Sequence, residues 1–304
     1  MTPGATAPKA AAPVAPAQAT RRASRLGVGA VIAATVCWSF GGVLGKSVDA
    51  NGLVIAFWRL WMGALLFNAA LYLKGRRLSW RILRLAGVGG VLFAANIAVF
   101  FSAIRHTSIA NVAIIGALTP VAIMVPAARW MGEKLRPITV VCAAIAVLGV
   151  CAAVLIGGSA GVARSWAGDG MAVLSLLFWI AYLLVTKRQR THLDALEYLA
   201  ASVLIAAITT TVVAAATGNM TPVHGDDWLW LILLALIPGA LGHGLLTWAH
   251  AHVDVSISSV LIQGEPVGQT LTAALFLGEA VSFTQGLIMA VVIGALGVLA
   301  LKTS

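Results

Sequence analysis

The chain has 304 residues, 60% of them hydrophobic and only 10% charged, with a formal net charge of +10. A soluble domain cannot hide that much apolar surface, so the composition points to an all-α polytopic membrane protein. The positive charge would suit a nucleic-acid partner only if it were gathered on one surface, and it is not.

Residues 1–25 are rich in Ala, Pro and Thr and end in Arg21, Arg22 and Arg25. Such a segment has no apolar core to fold around, and is expected to be a disordered cytoplasmic lead-in. It lacks the apolar centre of a signal peptide, so the first span is expected to remain as an uncleaved anchor. Ten apolar runs follow, near 27–46, 54–73, 84–104, 108–130, 137–157, 169–187, 194–217, 228–249, 254–277 and 282–301. Each approaches the ~20 residues needed to cross about 30 Å of hydrocarbon. With the N-terminus inside, sixteen of the twenty Lys and Arg fall on the cytoplasmic side and only Lys46, Arg105 and Arg164 outside. The positive-inside rule then puts both termini in the cytoplasm. The surplus charge reads as topology, and no nucleic-acid partner is implied.

Taken in order, span one carries Trp38 and the stretch FGGVLGKS (40–47). This is not a phosphate-binding loop, because only three residues separate Gly41 from Gly45 where four are needed. In span two, Arg59 lies close enough to the external end to snorkel. Span three holds Asn96, and span four Pro120 and Pro126. Trp179 and Tyr182 of span six are three apart and share a helix face. In span eight, Pro238, Gly239, Gly242 and Gly244 weaken the helix around His243. The following HAHVD (250–254) supplies too few ligands for a metal; no metal and no cofactor is expected. Cys37, Cys142 and Cys151 lie in apolar runs and read as packing residues. Span nine is the least ordinary, with Gln263, Glu265 and Pro266 near its middle. A charge at that depth costs roughly 2.5–3.5 kcal/mol on insertion scales, so it is expected to serve a function.

The chain also matches itself. WSFGGVLGK (38–46) aligns with WIAYLLVTK (179–187), and ALTPVAIMVPAARWMGEKL (117–135) with QGEPVGQTLTAALFLGEAV (263–281). Trp38 thus falls on Trp179, Ala117 on Gln263, Thr119 on Glu265, Pro120 on Pro266, and Gly132-Glu133 on Gly278-Glu279. Asn96 and His243 occupy similar places, 147 residues apart. Five spans per copy force the second copy to enter the membrane upside down, a recurring plan of secondary transporters. The repeats are expected over 26–157 and 168–301.

The ten spans, the duplicated Pro to Gly-Glu segment and the Trp near the start of each half resemble the EamA-type drug/metabolite transporter superfamily. The resemblance covers residues 27–301. It implies ten helices in two inverted five-helix repeats around a central cavity, with spans five and ten peripheral. It also implies export of small metabolites, often amino acids, across the bacterial inner membrane.

The expectation is therefore a secondary transporter working by alternating access, with a small-molecule substrate and membrane lipid as its partners. Amino acids are the foremost cargo; organic cations, nucleotide sugars and, more remotely, an intramembrane enzyme centred on His243 remain alternatives. Glu265, Gln263, His243, Asn96, Trp38, Trp179 and Tyr182 are the candidate substrate-binding or coupling residues. Pro120, Pro238 and Pro266 are the candidate kinks or gates. Glu265 could carry a proton, hold a substrate ammonium or fix the kink, so proton and exchange coupling both stay open, as does the oligomeric state.

Overall fold

The computed structural model describes residues 16–107, 112, 115–157, 165–218, 220, 222–277 and 281–303, and among them every regular element is helical. In the first repeat, α1 (Pro16–Ser39) and α2 (Gly41–Lys46) form span one and α3 (Gly52–Leu73) span two. Span three is α4 (Trp80–His106), span four is built on α5 (Thr119–Met131), and span five is α6 (Pro137–Gly157). In the second, α7 (Trp166–Gln189) and α8 (Ala195–Thr217) are spans six and seven. Span eight runs through α9 (Asp227–Leu234), a π-helical segment (Ala235–Gly242) and α10 (His243–Ala249). Span nine is divided into α11 (Val255–Leu261) and α12 (Gly264–Leu277), and α13 (Phe283–Thr303) is span ten.

Eight of these stretches are long and apolar enough to cross a membrane, and a shorter apolar helix covers Ile115–Met131. The remaining span, the ninth, is broken in its middle. The expected start of span four, 108–111 and 113–114, lies outside the described residues, as do Arg164, Gly278 and Glu279. At the other end, α1 is already helical from Pro16, where the composition had led us to expect an unfolded lead-in up to residue 25. Proline is well placed in a first turn, and the Ala, Gln and Arg that follow are good helix formers. Ser24 is also tied to the far end of the chain, its Oγ donating to Thr303 O at 2.9 Å.

The connections follow from local chemistry. The side chains of Asn51, Ser79, Ser165 and Asp194 each accept from a backbone N–H in the first turn of the helix that follows. Asp194 and Glu197 form a reciprocal capping box. Gly132 ends α5 at φ +67°, a left-handed conformation that glycine adopts without a Cβ penalty.

Outer faces carry exposed Leu65, Leu148, Leu155 and Leu275, as lipid contact requires. Inside, helices approach through small residues, which is how membrane helices gain contact when burial from water offers nothing. Gly63 faces Val203, Gly90 faces Ser202 and Ile205, and Gly149 faces Val292. The two repeats are interleaved rather than side by side. Span two packs on seven, three on six and seven, one on eight and nine, and five on ten. Spans two and seven, and five and ten, are equivalent elements in contact, and some equivalent residues meet as well. The rings of Trp38 and Trp179 lie 5.9 Å apart, edge to face.

Candidate functional site

Three interrupted helices shape the centre. In span four, Pro120 has no N–H for the carbonyl of Gly116, and Thr119 Oγ1 donates to that oxygen instead, at 2.6 Å. One residue on, Ala117 O accepts from Gln263 Nε2 at 2.8 Å, so the second repeat satisfies a backbone group freed in the first. In span nine a tight turn, with Gln263 N donating to Val260 O at 3.0 Å and Glu265 N to Ile262 O at 2.8 Å, precedes the restart at Gly264. Pro266 sits in the first turn of α12, where an N–H would have no intrahelical partner. In span eight Pro238 lies inside the π-helical segment, and its carbonyl accepts from Trp38 Nε1 at 2.8 Å. Gly242 makes that approach possible: a Cβ there would stand 2.6 Å from Trp38 Cδ1.

Around these breaks an aromatic cluster gathers. His243 lies 4.9 Å from Trp38, 4.9 Å from Phe93 and 6.3 Å from Trp179 by ring centroids. Tyr182 stacks on Phe93 at 4.8 Å and on Trp179 at 5.5 Å. On the other side of the imidazole, Arg59 Nη2 is 3.4 Å from His243 Nε2. Arg59 is in turn electrostatically coupled to Glu265, whose Oε1 accepts from Gln269 Nε2 at 2.9 Å. The buried Nδ1 of His243 has no hydrogen-bond partner among the described residues. A cavity of only about 10 Å³ lies against Arg59, Gly63, Phe67, Phe93, Gly239 and His243. The arrangement offers a guanidinium, a carboxyl group and a neutral donor or acceptor near aromatic walls.

Of the residues expected at the site, Trp38, Trp179, Tyr182 and His243 come together, and Glu265 is linked to them only through its electrostatic coupling to Arg59. Asn96 does not join them; its Nδ2 donates to both O and Oγ of Ser175 at 3.0 Å, a helix-to-helix tie. Gln263 likewise holds Ala117 O rather than facing the rings. Two members were not anticipated. Arg59 turns inward instead of snorkelling, and Phe93, three residues before Asn96, gave no signal beyond being apolar. The serines that follow His243 in the chain, which an enzyme centred on it would call on, have other partners: Ser256 binds Glu133, and Ser258 Oγ lies 3.5 Å from His250 Nε2.

At the expected cytoplasmic face, Glu133 crosses to the other repeat and caps α11. Its carboxylate accepts from Val255 N at 2.7 Å, Ser256 N at 3.0 Å and Ser256 Oγ at 2.7 Å. Nearby, Lys187 donates to Val253 O, and Arg190 Nε to Thr247 O at 2.9 Å. Burial pushes the Arg190 guanidinium below its usual range, partly offset by Glu197. His250 is buried among these groups, and burial, then Lys187 and Arg190, push it down to about 3. His252 points away and packs on Trp248 at 4.3 Å.

The model of the EamA-like transporter family matches residues 25–155 and again 166–301. A solved crystal structure shares the fold, with a TM-score of 0.78 at 22% identity, covering 93% of this chain and 97% of that one. None of the curated proteins matches.

Proposed function

The chain belongs to the EamA-like transporter family, and from that premise we propose that it exports small zwitterionic metabolites, amino acids foremost, by alternating access. Its setting would be the bacterial inner membrane with both termini in the cytoplasm. The observation that carries the reading is the guanidinium of Arg59, from the first repeat, set 3.4 Å from His243 in the aromatic cluster, with the carboxyl of Glu265, from the second, within its electrostatic reach. A substrate carboxylate matches the planar fork of a guanidinium, and an ammonium matches the carboxylate and the faces of Trp38 and Trp179. Such a ligand would give each of the two groups a partner in a medium of low dielectric, where such contacts count for more than in water. Because the partners come from different repeats, substrate and helix rearrangement would be linked. His243 Nδ1 supplies a further polar contact.

The paired tryptophans and Glu265 also favour an organic cation, with the nearby Arg59 opposing it. Purified protein in liposomes separates the two. Counterflow of labelled amino acids, with and without a pH gradient, is expected for the wild type, with a loss of about tenfold or more in Glu265→Gln. Transport of a quaternary ammonium probe in place of every amino acid would move the cargo to the cation class. An unchanged rate and pH response in Glu265→Gln would remove this carboxylate from both recognition and coupling.

A further inference from the structure

Away from the centre, where α4 begins and the 190–194 turn closes, the surface holds a groove of about 500 Å³ lined by Trp80, Arg81, Arg84, Leu85 and His192. Arg81 and Arg84 are three residues apart on one helix and so present their guanidinia on neighbouring positions of one face. Both are exposed. Among the described residues neither makes an ion pair, and the carboxylates of the facing segment, Asp194 and Glu197, are both held by Arg76. Two permanent cations thus converge on one groove with the local acids already spent on a third. Trp80 stands beside them, 78% exposed at the start of a membrane span, and Leu85 continues the groove toward the apolar length of α4. An exposed indole at that level belongs to the boundary between headgroups and hydrocarbon.

We propose that this groove binds the phosphodiester headgroup of one anionic phospholipid. Arg81 and Arg84 hold the phosphate, and Trp80 and Leu85 receive the upper acyl chain. A free phosphate would satisfy the guanidinia but leave the apolar edge unused, which favours the lipid. The groove has one wall from each repeat, since α4 belongs to the first and His192 to the second. A lipid seated there joins the repeats outside the transport centre.

Delipidated full-length protein, exchanged into nanodiscs with phosphatidylglycerol and phosphatidylcholine in equal amounts, provides the test by native mass spectrometry. Phosphatidylglycerol should be retained preferentially, and retention should fall about 10-fold in the Arg81→Gln/Arg84→Gln variant. Arg188→Gln, which removes a charge from an exposed position outside the groove, should retain it like the wild type. If the double variant does not fold, as judged by its helical circular dichroism, Arg84→Gln alone should show an intermediate loss. Equal retention of the two lipids, or of phosphatidylglycerol by wild type and variant, overturns the proposal. So does inorganic phosphate raising the melting temperature as much as phosphatidylglycerol does, which would assign the groove to a soluble anion.

Discussion

At the scale of single residues, position along a helix was readable and rotation about it was not. Trp38 and Trp179 stood out because the repeat aligned them, and they do meet. Arg59 was placed near the external end, where a long side chain can reach water, and nothing in its neighbours told which way it turned. Its inward direction makes a specific expectation: Arg59→Lys keeps the charge but loses the fork, and should raise KM for a carboxylate-bearing substrate about 10-fold with a smaller change in kcat. Uptake kinetics giving an unchanged KM would remove Arg59 from recognition. Gly242→Ala would drive a methyl into the Trp38 indole, destabilising the fold by about 1–3 kcal/mol. Thermal unfolding in detergent reads this directly, and an unaltered midpoint would mean that the indole moves aside freely. His250 bears on pH. Its folded value of about 3 lies below the usual imidazole range, so below about pH 6.5 the unfolded chain takes up the proton first. The stability present above that pH should decline toward pH 3, by up to about 1.4 kcal/mol per unit from this one group. His250→Gln should flatten that part of the melting-temperature profile, and identical slopes in the two proteins would count against it.

At the scale of elements, the interrupted helices were legible because Pro120, Pro238, Pro266 and the glycines around His243 announce them. How each interruption is satisfied was not legible. The hydroxyl of Thr119 and the amide of Gln263 act through contacts that depend on the turn's final shape, and the π-helical segment has no residue pattern of its own. The duplicated Gly-Glu pair was visible as a motif without a reason. The reason in the first copy is mechanical: Gly132 turns the chain out of α5, and Glu133 then serves as the N-terminal cap of a helix in the other repeat. Glu133→Ala should therefore loosen span nine rather than span four, at a cost of about 1–2 kcal/mol. Hydrogen exchange resolved by segment would show faster opening at 255–261; uniform protection across both spans would refute the capping role.

At the scale of the molecule, the ten spans and the two repeats followed from apolar run lengths and self-alignment, which depend on composition more than on packing. The interleaving of the repeats needed the structure, since lipid-facing and helix-facing residues are both apolar and carry no contrast. The Lys and Arg asymmetry gives an orientation that labelling can check. With Cys37, Cys142 and Cys151 replaced by Ser, single cysteines at Arg77 and at Asp226 should react with an impermeant maleimide from opposite sides of sealed vesicles. Reaction of both from one side would overturn the topology. Finally, Trp38 touches Trp179, and Gln263 binds the carbonyl of Ala117, each a residue in contact with its own counterpart. Two bodies related by a half-turn can only meet counterpart to counterpart on the axis of that turn. Were the halves to trade shapes, contacts between non-equivalent residues would be exchanged for their images, whereas the Trp38–Trp179 contact would map onto itself. The Trp38–Trp179 contact therefore marks where the axis between the two halves runs, and it is a contact that exchanging their shapes would leave in place.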